Sequence, residues 1–130
     1  MLDSNVLSDL IRHPRTSPAV ARIAEVGQDA VCTSPFVACE MRYGARKKGS
    51  ARLETAVDEL LRRMTIAELD GTGFPRIYAE VRTVLERAGR PIGAVDLLIA
   101  SHALCVGAIM VTDNRREFDR VEGLRVESWT

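Results

Sequence analysis

The chain has 130 residues, of which 46% are hydrophobic and 28% are charged, as expected for one compact globular domain. Its 18 basic and 18 acidic residues balance to a formal net charge of +0, which argues against a strongly basic nucleic-acid binder and limits any basic surface to a local patch. No apolar run reaches the ~18 residues of a membrane helix, and no signal peptide is evident. We therefore expect a cytoplasmic protein that does not enter membranes.

Short strands and longer helices alternate in the prediction. Hydrophobic periodicity defines most elements. The pairs Ser17-Pro18 and Ser34-Pro35 begin two helices, Gly49 ends the second of these, and Gly89 ends a later one. In chain order, the prediction is a strand at 1–2, helices at 6–12 and 18–26, a strand at 30–33, helices at 36–48 and 50–64, a strand at 65–69, helices at 74–88 and 91–105, a strand at 108–111, a helical turn at 115–119 and a strand at 124–128.

Strands separated by helices favour right-handed βαβ units and a parallel sheet covered on both faces. We therefore expect a single α/β domain over residues 1–130, a three-layer α/β/α fold with a central parallel sheet of about five strands. Ligands bind such sheets beyond the C-terminal ends of the strands. The three cysteines lie among apolar residues without close pairing, and we expect them to be reduced core residues.

Asp96 interrupts an otherwise apolar stretch, PIGAVDLLIASHAL at residues 91–104. On a helix it would share a face with Ile92, Ile99 and Ala100, which should pack inward. An ionised carboxylate on that face is costly unless it is paired, hydrogen-bonded or bound to a cation. This conflict between pattern and chemistry marks Asp96 as a candidate functional residue.

Three further acids occupy unusual positions. Glu40 interrupts a second apolar helix face, while Asp3 and Asp113 follow predicted strands. Taken singly, Asp3 and Asp113 also fit helix caps or solvated acids, and Glu40 and Asp96 fit buried acids paired with a basic group. Their joint occurrence favours one site.

Carboxylates that meet at one edge of a sheet repel each other, and a hard divalent cation removes that conflict. Oxygen ligands suit Mg²⁺, with Mn²⁺ as a substitute. The chemistry that such an ion supports is phosphodiester hydrolysis, in which a metal-activated water attacks the phosphate.

At these residues the chain resembles a known family. The matching segments are Leu2-Asp3-Ser4-Asn5, Ser34-Pro35 through Glu40 and Tyr43-Gly44, Pro91-Ile92-Gly93 through Asp96, Val111-Thr112-Asp113-Asn114 through Glu117-Phe118, and the closing residues 123–129. In this order, over almost the whole chain, they resemble the PIN-domain ribonucleases, and specifically the VapC-type toxins of bacterial type II toxin–antitoxin pairs.

The resemblance implies a PIN-like fold and a Mg²⁺-dependent endoribonuclease that cuts RNA, with tRNA as a candidate substrate. It also implies a homodimer and neutralisation by a cognate antitoxin. The metal and catalytic acids map onto Asp3, Glu40 and Asp96, with Asp113 taken as the fourth. Related sequences often carry that fourth acid where this chain has Asn114, and Glu117 is the other alternative. The residues expected to support the site are Ser4, Asn5, Thr112, Asn114 and Glu117.

Basic residues near these acids are candidates for RNA binding, namely Arg42, Arg46, Lys47, Arg115 and Arg116. They could hold phosphates close to the acids, although runs of charge are most often solvated helix faces.

Two other functions stay open at this point. One is a non-catalytic RNA- or protein-binding module with an incomplete metal site, because Asn114 replaces an acid and the net charge is neutral. The other is a different phosphoesterase that acts on DNA.

Overall fold

Seven helices and four strands of two residues each form the fold in the computed structural model, which describes residues 1–130. The helices are α1 (Ser4–Arg12), α2 (Pro18–Val26), α3 (Pro35–Lys48), α4 (Ala51–Arg63), α5 (Gly73–Arg87), α6 (Ala94–Cys105) and α7 (Arg115–Phe118). The strands are β1 (Cys32–Thr33), β2 (Thr65–Ile66), β3 (Met110–Val111) and β4 (Val126–Glu127). None of the helices is both long and apolar enough to cross a bilayer.

Leu2 joins two pairs of strands into one parallel arrangement. Strand β1 pairs with β2, and β3 pairs with β4, both in parallel. The fully buried Leu2 forms parallel bridges to Thr33 on one side and Val111 on the other. The order is therefore β2, β1, the Leu2 segment, β3 and β4, which confirms the predicted α/β class with a parallel sheet.

The strands are shorter than the predicted runs of four or five residues, because backbone pairing with the neighbouring strand covers only two residues. Strand β1 ends where Ser34 caps helix α3. After the Ala67 N–H donates to the Thr33 carbonyl at 2.9 Å, residues 68–69 have no strand beside them. At the other end of β1, Ala30 belongs to a 3₁₀ turn, Gln28–Ala30. Strand propensity alone therefore overestimates the length of the strands.

Helix α6 begins at Ala94, so the predicted start at Pro91 is wrong. The Gly93 N–H donates to Glu117 instead of entering a helical turn, and Gly93 is the N-cap. Asp96 therefore lies in the first turn of the helix. The predicted inward face is confirmed, because Ile99 and Ala100 are fully buried.

The three cysteines are free, as predicted, but they are not all core residues. Cys39 is exposed on α3, and Cys32 and Cys105 are half-buried.

A buried histidine ties the helix that carries Asp96 to the rest of the fold. His102 on α6 is fully buried. Its Nδ1 lies 2.8 Å from the Ser34 hydroxyl, and its Nε2 lies 2.9 Å from the Glu68 carbonyl. Because a carbonyl can only accept, Nε2 carries the proton and Nδ1 accepts from Ser34. The ring thus links α6 to the start of α3 and to the loop after β2.

We expect His102→Ala to lower the free energy of unfolding by roughly 2–4 kcal/mol, because it opens a cavity and removes the hydrogen bonds of the ring to the buried Ser34 hydroxyl and to the Glu68 carbonyl. Urea unfolding of the purified variant measures this. The matched control is His13→Ala, since the His13 side chain is 57% exposed and exposed substitutions usually change stability by less than about 0.5 kcal/mol. Equal effects of the two substitutions would contradict the role given to His102.

Candidate active site

Asp3 lies at the centre of the predicted acids and is held from several sides. It is 3% exposed, and its backbone N–H donates to the Val111 carbonyl at 3.0 Å. One carboxylate oxygen accepts from the Ser4 N–H at 2.8 Å. The other accepts from the Thr112 hydroxyl at 2.7 Å and from the Asn5 side-chain amide at 3.1 Å. Asp3 therefore caps α1 while its orientation is fixed.

The Thr112 hydroxyl connects Asp3 to the segment after β3. Besides donating to Asp3, its oxygen accepts from the Asn5 amide at 3.1 Å and from the Asn114 backbone N–H at 3.0 Å. The Asn5 side-chain oxygen accepts from the Asp113 N–H at 3.2 Å. Thr112, Asn5 and Asn114 thus hold two strand ends together around Asp3.

Glu40 points one unsatisfied oxygen into the same region. Its Oε2 is buried and has no hydrogen-bond partner. Burial raises the pKa of Glu40 above its ordinary value of 4.5, the charge of Asp3 adds to the rise, and the Ser4 side chain opposes it. Buried polar atoms nearly always find a partner, so this orphaned oxygen indicates that a cation, a water or a substrate group is accommodated here.

Asp96 is the acid most strongly perturbed by its surroundings. Its Oδ2 accepts from the Asn114 side-chain amide at 3.2 Å. Burial raises the pKa of Asp96 from 3.8 to about 7, with further contributions from the charges of Asp3, then Glu117, then Glu40. A position in the first turn of a helix normally favours the ionised form. Here burial and like charges outweigh that effect.

Glu117 on α7 is the fourth acid of the group. Its Oε2 accepts from the Gly93 N–H at 2.8 Å. A methyl group added at Gly93 would lie 3.6 Å from an oxygen of Asp96 and 3.7 Å from an oxygen of Glu117. Gly93 therefore leaves a space between two carboxylates. We refer to Asp3, Glu40, Asp96 and Glu117 as the acid cluster.

Asp113 does not join the acid cluster, in contrast to the placement expected from the sequence. It is exposed, and its carboxylate accepts from the Ser128 hydroxyl at 3.0 Å. The physical reason is the alternation of an extended chain. Because Thr112 turns inward to Asp3, the next side chain turns away. The short helix α7 then brings Glu117 to the position that Asp113 was predicted to fill.

The acid cluster offers only oxygen atoms as ligands to a cation. All of its donors are carboxylate oxygens, which is the set that Mg²⁺ and Mn²⁺ prefer. As the side chains stand, no three acidic, histidine or cysteine side chains surround a common point closely enough to ligate one ion. Mg²⁺ usually keeps several waters and uses one or two carboxylates, so this looser arrangement agrees with an ion held partly through water.

Most of the basic residues predicted to bind RNA are engaged in ion pairs. Arg42 pairs with Asp58 on α4, and Arg115 pairs with Asp119 at 3.1 Å. Arg46 lies 3.7 Å from Glu54. Arg116 is exposed, and Lys47 lies over the ring of Tyr43.

Sequence reasoning missed Arg12, which lines a groove of about 160 Å³ together with Glu40 and Lys48. Their spacing carries a signal. Ser4, Ser8 and Arg12 are four residues apart on α1, so they share one helix face. Lys48 lies eight residues after Glu40 on α3, about two turns further along the same face.

Comparisons with known proteins cover almost the whole chain. The PIN domain family matches residues 1–124. A relative from Shigella flexneri, called tRNA(fMet)-specific endonuclease VapC, is 36% identical over 100% of this chain and 97% of its own length. Ribonuclease VapC2 of Rickettsia felis is 34% identical over 99% of this chain and 96% of its own length.

Solved structures agree with these relatives. A DNA-bound VapBC from Salmonella typhimurium aligns with a TM-score of 0.88 and 32% identity, over 100% of this chain and 97% of that one. VapBC2 of Rickettsia felis, bound to a DNA fragment from the promoter of the pair, aligns with a TM-score of 0.87 and 33% identity, over 100% of this chain and 98% of that one.

We expect metal-free protein to lose stability relative to Asp96→Asn as the pH rises. The pKa of Asp96 is 3.8 in its ordinary state and about 7 in the fold, so between these values the folded state binds more protons than the unfolded state. Stability must then fall as the pH rises through that window. The amide of the variant does not ionise. Melting temperatures measured in EDTA at pH values from about 4 to about 8, a range that covers the interval between the two pKa values, test this prediction.

Asp113→Asn is the matched control for that experiment, because it removes an exposed aspartate outside the acid cluster. Its melting temperature should follow the pH profile of the unmodified protein. If the melting temperatures of Asp96→Asn and Asp113→Asn change with pH in parallel, ionisation of Asp96 does not destabilise the fold and the prediction is wrong.

Proposed function

Because this chain belongs to the PIN-domain family and is a VapC-type ribonuclease, we propose that the acid cluster binds Mg²⁺ and that the protein is a metal-dependent endoribonuclease toxin. The observation that carries this proposal is that none of the four acids makes an ion pair, although the chain has 18 basic residues. A purely structural buried acid would be expected to pair with one of them. Mn²⁺ should substitute for Mg²⁺.

Each residue of the proposed site has a role in orienting groups or moving protons. When bound, the divalent ion activates a water and stabilises negative charge on the phosphate. Asp3, with its orientation fixed by Ser4 and Thr112, would hold the ion. The unpaired Oε2 of Glu40 is free to accept a proton from the attacking water, a task suited to a carboxylate of raised pKa. Asn114 orients Asp96 through its amide.

Asn114 motivated the alternative of a non-catalytic module with an incomplete site. That argument loses its basis if Glu117 supplies the fourth carboxylate and Asn114 supports Asp96 instead. A substrate of the DNA class also gains no support, because the relatives at 36% and 34% identity are called a tRNA-specific endonuclease and a ribonuclease.

We propose tRNA as the substrate class, in keeping with the name of the Shigella flexneri relative, and the cytoplasm as the place of action. The acid cluster contacts the phosphate and the metal, which carry no base information. The choice of RNA must therefore come from residues around the cluster.

A cognate antitoxin is the proposed protein partner. VapBC structures that align with this chain include VapBC-1 from nontypeable Haemophilus influenzae, at a TM-score of 0.85 and 28% identity. Neutralisation by the antitoxin would then proceed through a complex with this chain.

The activity test compares matched substitutions. We expect Asp96→Asn and Glu117→Gln to slow RNA cleavage by on the order of 10²-fold or more, since each removes a charged group of the site. Asp113→Asn should stay within about twofold, as an exposed substitution. Cleavage of total tRNA with Mg²⁺ or Mn²⁺, with and without EDTA, gives these rates. Cleavage that survives the chelator would refute the metal, and an Asp113→Asn defect equal to that of Glu117→Gln would refute the choice of fourth acid.

We also propose a homodimer formed through the outer face of α5. Apolar side chains there border a groove of about 350 Å³ with Leu104 and Val121, and Val84 in this groove is 51% exposed. Apolar surface of this kind is typical of a protein interface.

We expect Val84→Glu to convert the dimer to a monomer, because a charge would be buried in the interface. Sedimentation equilibrium measures the mass. Val26→Glu is the control, since Val26 is similarly exposed at 42% but lies on α2, away from this groove. A monomeric unmodified protein, or loss of the dimer in both variants, would overturn the proposed interface.

A further inference from the structure

Tyr43 is the one aromatic side chain that the fold leaves in solvent. It is 65% exposed. Of the other five aromatic residues, Phe118 is fully buried, Phe36, Tyr78 and Trp129 pack against the core, and Phe74 packs on the rings of Phe36 and Tyr78. Tyr43 is therefore not part of the core, and its ring is accessible to a ligand.

The position of Tyr43 on α3 puts it beside the acid cluster. It follows Glu40 by three residues, about 4.5 Å along the helix axis, and residues at this spacing share a face. Side chains on a helix lean toward its N-terminus, which for Tyr43 is the direction of Glu40. Gly44, the next residue, would meet nothing within 4 Å if it carried a Cβ. An open surface therefore extends from Glu40 past Tyr43.

A cation completes this surface. The Nζ atom of Lys47 lies 5.8 Å from the centre of the Tyr43 ring, and Lys47 has no acidic partner, whereas Arg42 and Arg46 pair with acids on α4. Lys48 also faces the groove that Glu40 lines. Going along α3 from Glu40, the surface thus offers a carboxylate, an exposed aromatic ring and a free ammonium group.

We propose that Tyr43 stacks on an unpaired base of the substrate RNA next to the cleaved phosphodiester, while Lys47 contacts a neighbouring phosphate. The inference rests on the proposed function, because it assumes that the phosphodiester is cut at the acid cluster. Single-stranded RNA is recognised by splayed bases that stack on exposed aromatic rings, with basic side chains on the backbone. The adjoining carboxylate and ammonium groups suit a nucleotide better than an apolar peptide face.

The recognition this provides is for conformation more than for sequence. Every base has a π face, so one stacking site accepts all four bases. It requires only that a base next to the cut be unpaired.

The first test maps the cleavage site in total tRNA and then uses a hairpin oligoribonucleotide that spans this site. With Mg²⁺ present, we expect Tyr43→Ala to lower kcat/KM by about 5- to 150-fold, which is the range of one base–aromatic stack, mainly through KM. Tyr43→Phe should retain the rate, because stacking needs the ring and not the hydroxyl. Val26→Ala, an exposed apolar residue on α2, should also leave the rate unchanged. Unchanged melting temperatures will exclude misfolding.

The second test identifies the base. Each nucleotide that flanks the cut is replaced in turn by an abasic one, and each RNA is cleaved by the unmodified protein and by Tyr43→Ala. At one position the two losses should not add, because both remove the same stack. Additive losses at every position would overturn the proposal, as would full activity of Tyr43→Ala or a Tyr43→Phe defect as large as that of Tyr43→Ala.

Two further outcomes distinguish a failure of the base-stacking proposal from a failure of the proposed function. If Tyr43→Ala cleaves normally but binds the antitoxin less tightly, Tyr43 belongs to a protein interface and the base-stacking proposal fails while the nuclease stands. If the unmodified protein shows no metal-dependent cleavage of any RNA, the proposed function itself fails.

Discussion

The mutual repulsion of four carboxylates is the constraint around which the rest of the structure is arranged. No basic side chain separates them, one oxygen of Glu40 has no partner, and the pKa of Asp96 rises to about 7. A fold gains nothing from such a cluster on its own, because buried charge without compensation is destabilising. Strain of this kind tends to persist where it serves a function, and here the compensation that is missing is positive charge.

The fold can hold the acids together because their elements are fixed independently of them. Leu2 pairs on both sides within the parallel arrangement, so Asp3 emerges at a defined place between two strands. His102 ties α6 to the beginning of α3, the helix that carries Glu40. Thr112 closes the remaining side through its hydrogen bond to Asp3. Packing and hydrogen bonds therefore supply the stability that offsets the repulsion within the acid cluster.

The sequence was sufficient to predict the fold class, the helices and the proximity of Asp3, Glu40 and Asp96, whose role as metal ligands stays a prediction. Asp3, Glu40 and Asp96 violate or end a regular pattern, and such violations are visible in one dimension. The fourth acid was not predictable in this way, because the choice between Asp113 and Glu117 depends on the inward turn of Thr112 and on the position of α7. The same limit applies to strand length, which is set by where neighbouring strands end, and to Arg12, which approaches Glu40 only through the packing of α1 against α3.

The neutral net charge is compatible with RNA binding once charges are considered by position. Arg42, Arg46 and Arg115 are paired with acids and add little to the field beyond their partners. Lys47 and Lys48 are not paired, and they follow Glu40 along one helix. Binding strength that comes from phosphates grows with the number of free cations that contact them, so this surface can supply only a small electrostatic contribution. Positioning must then come from the metal and from non-ionic contacts, and the exposed ring of Tyr43 is the one aromatic group that the surface offers for that purpose.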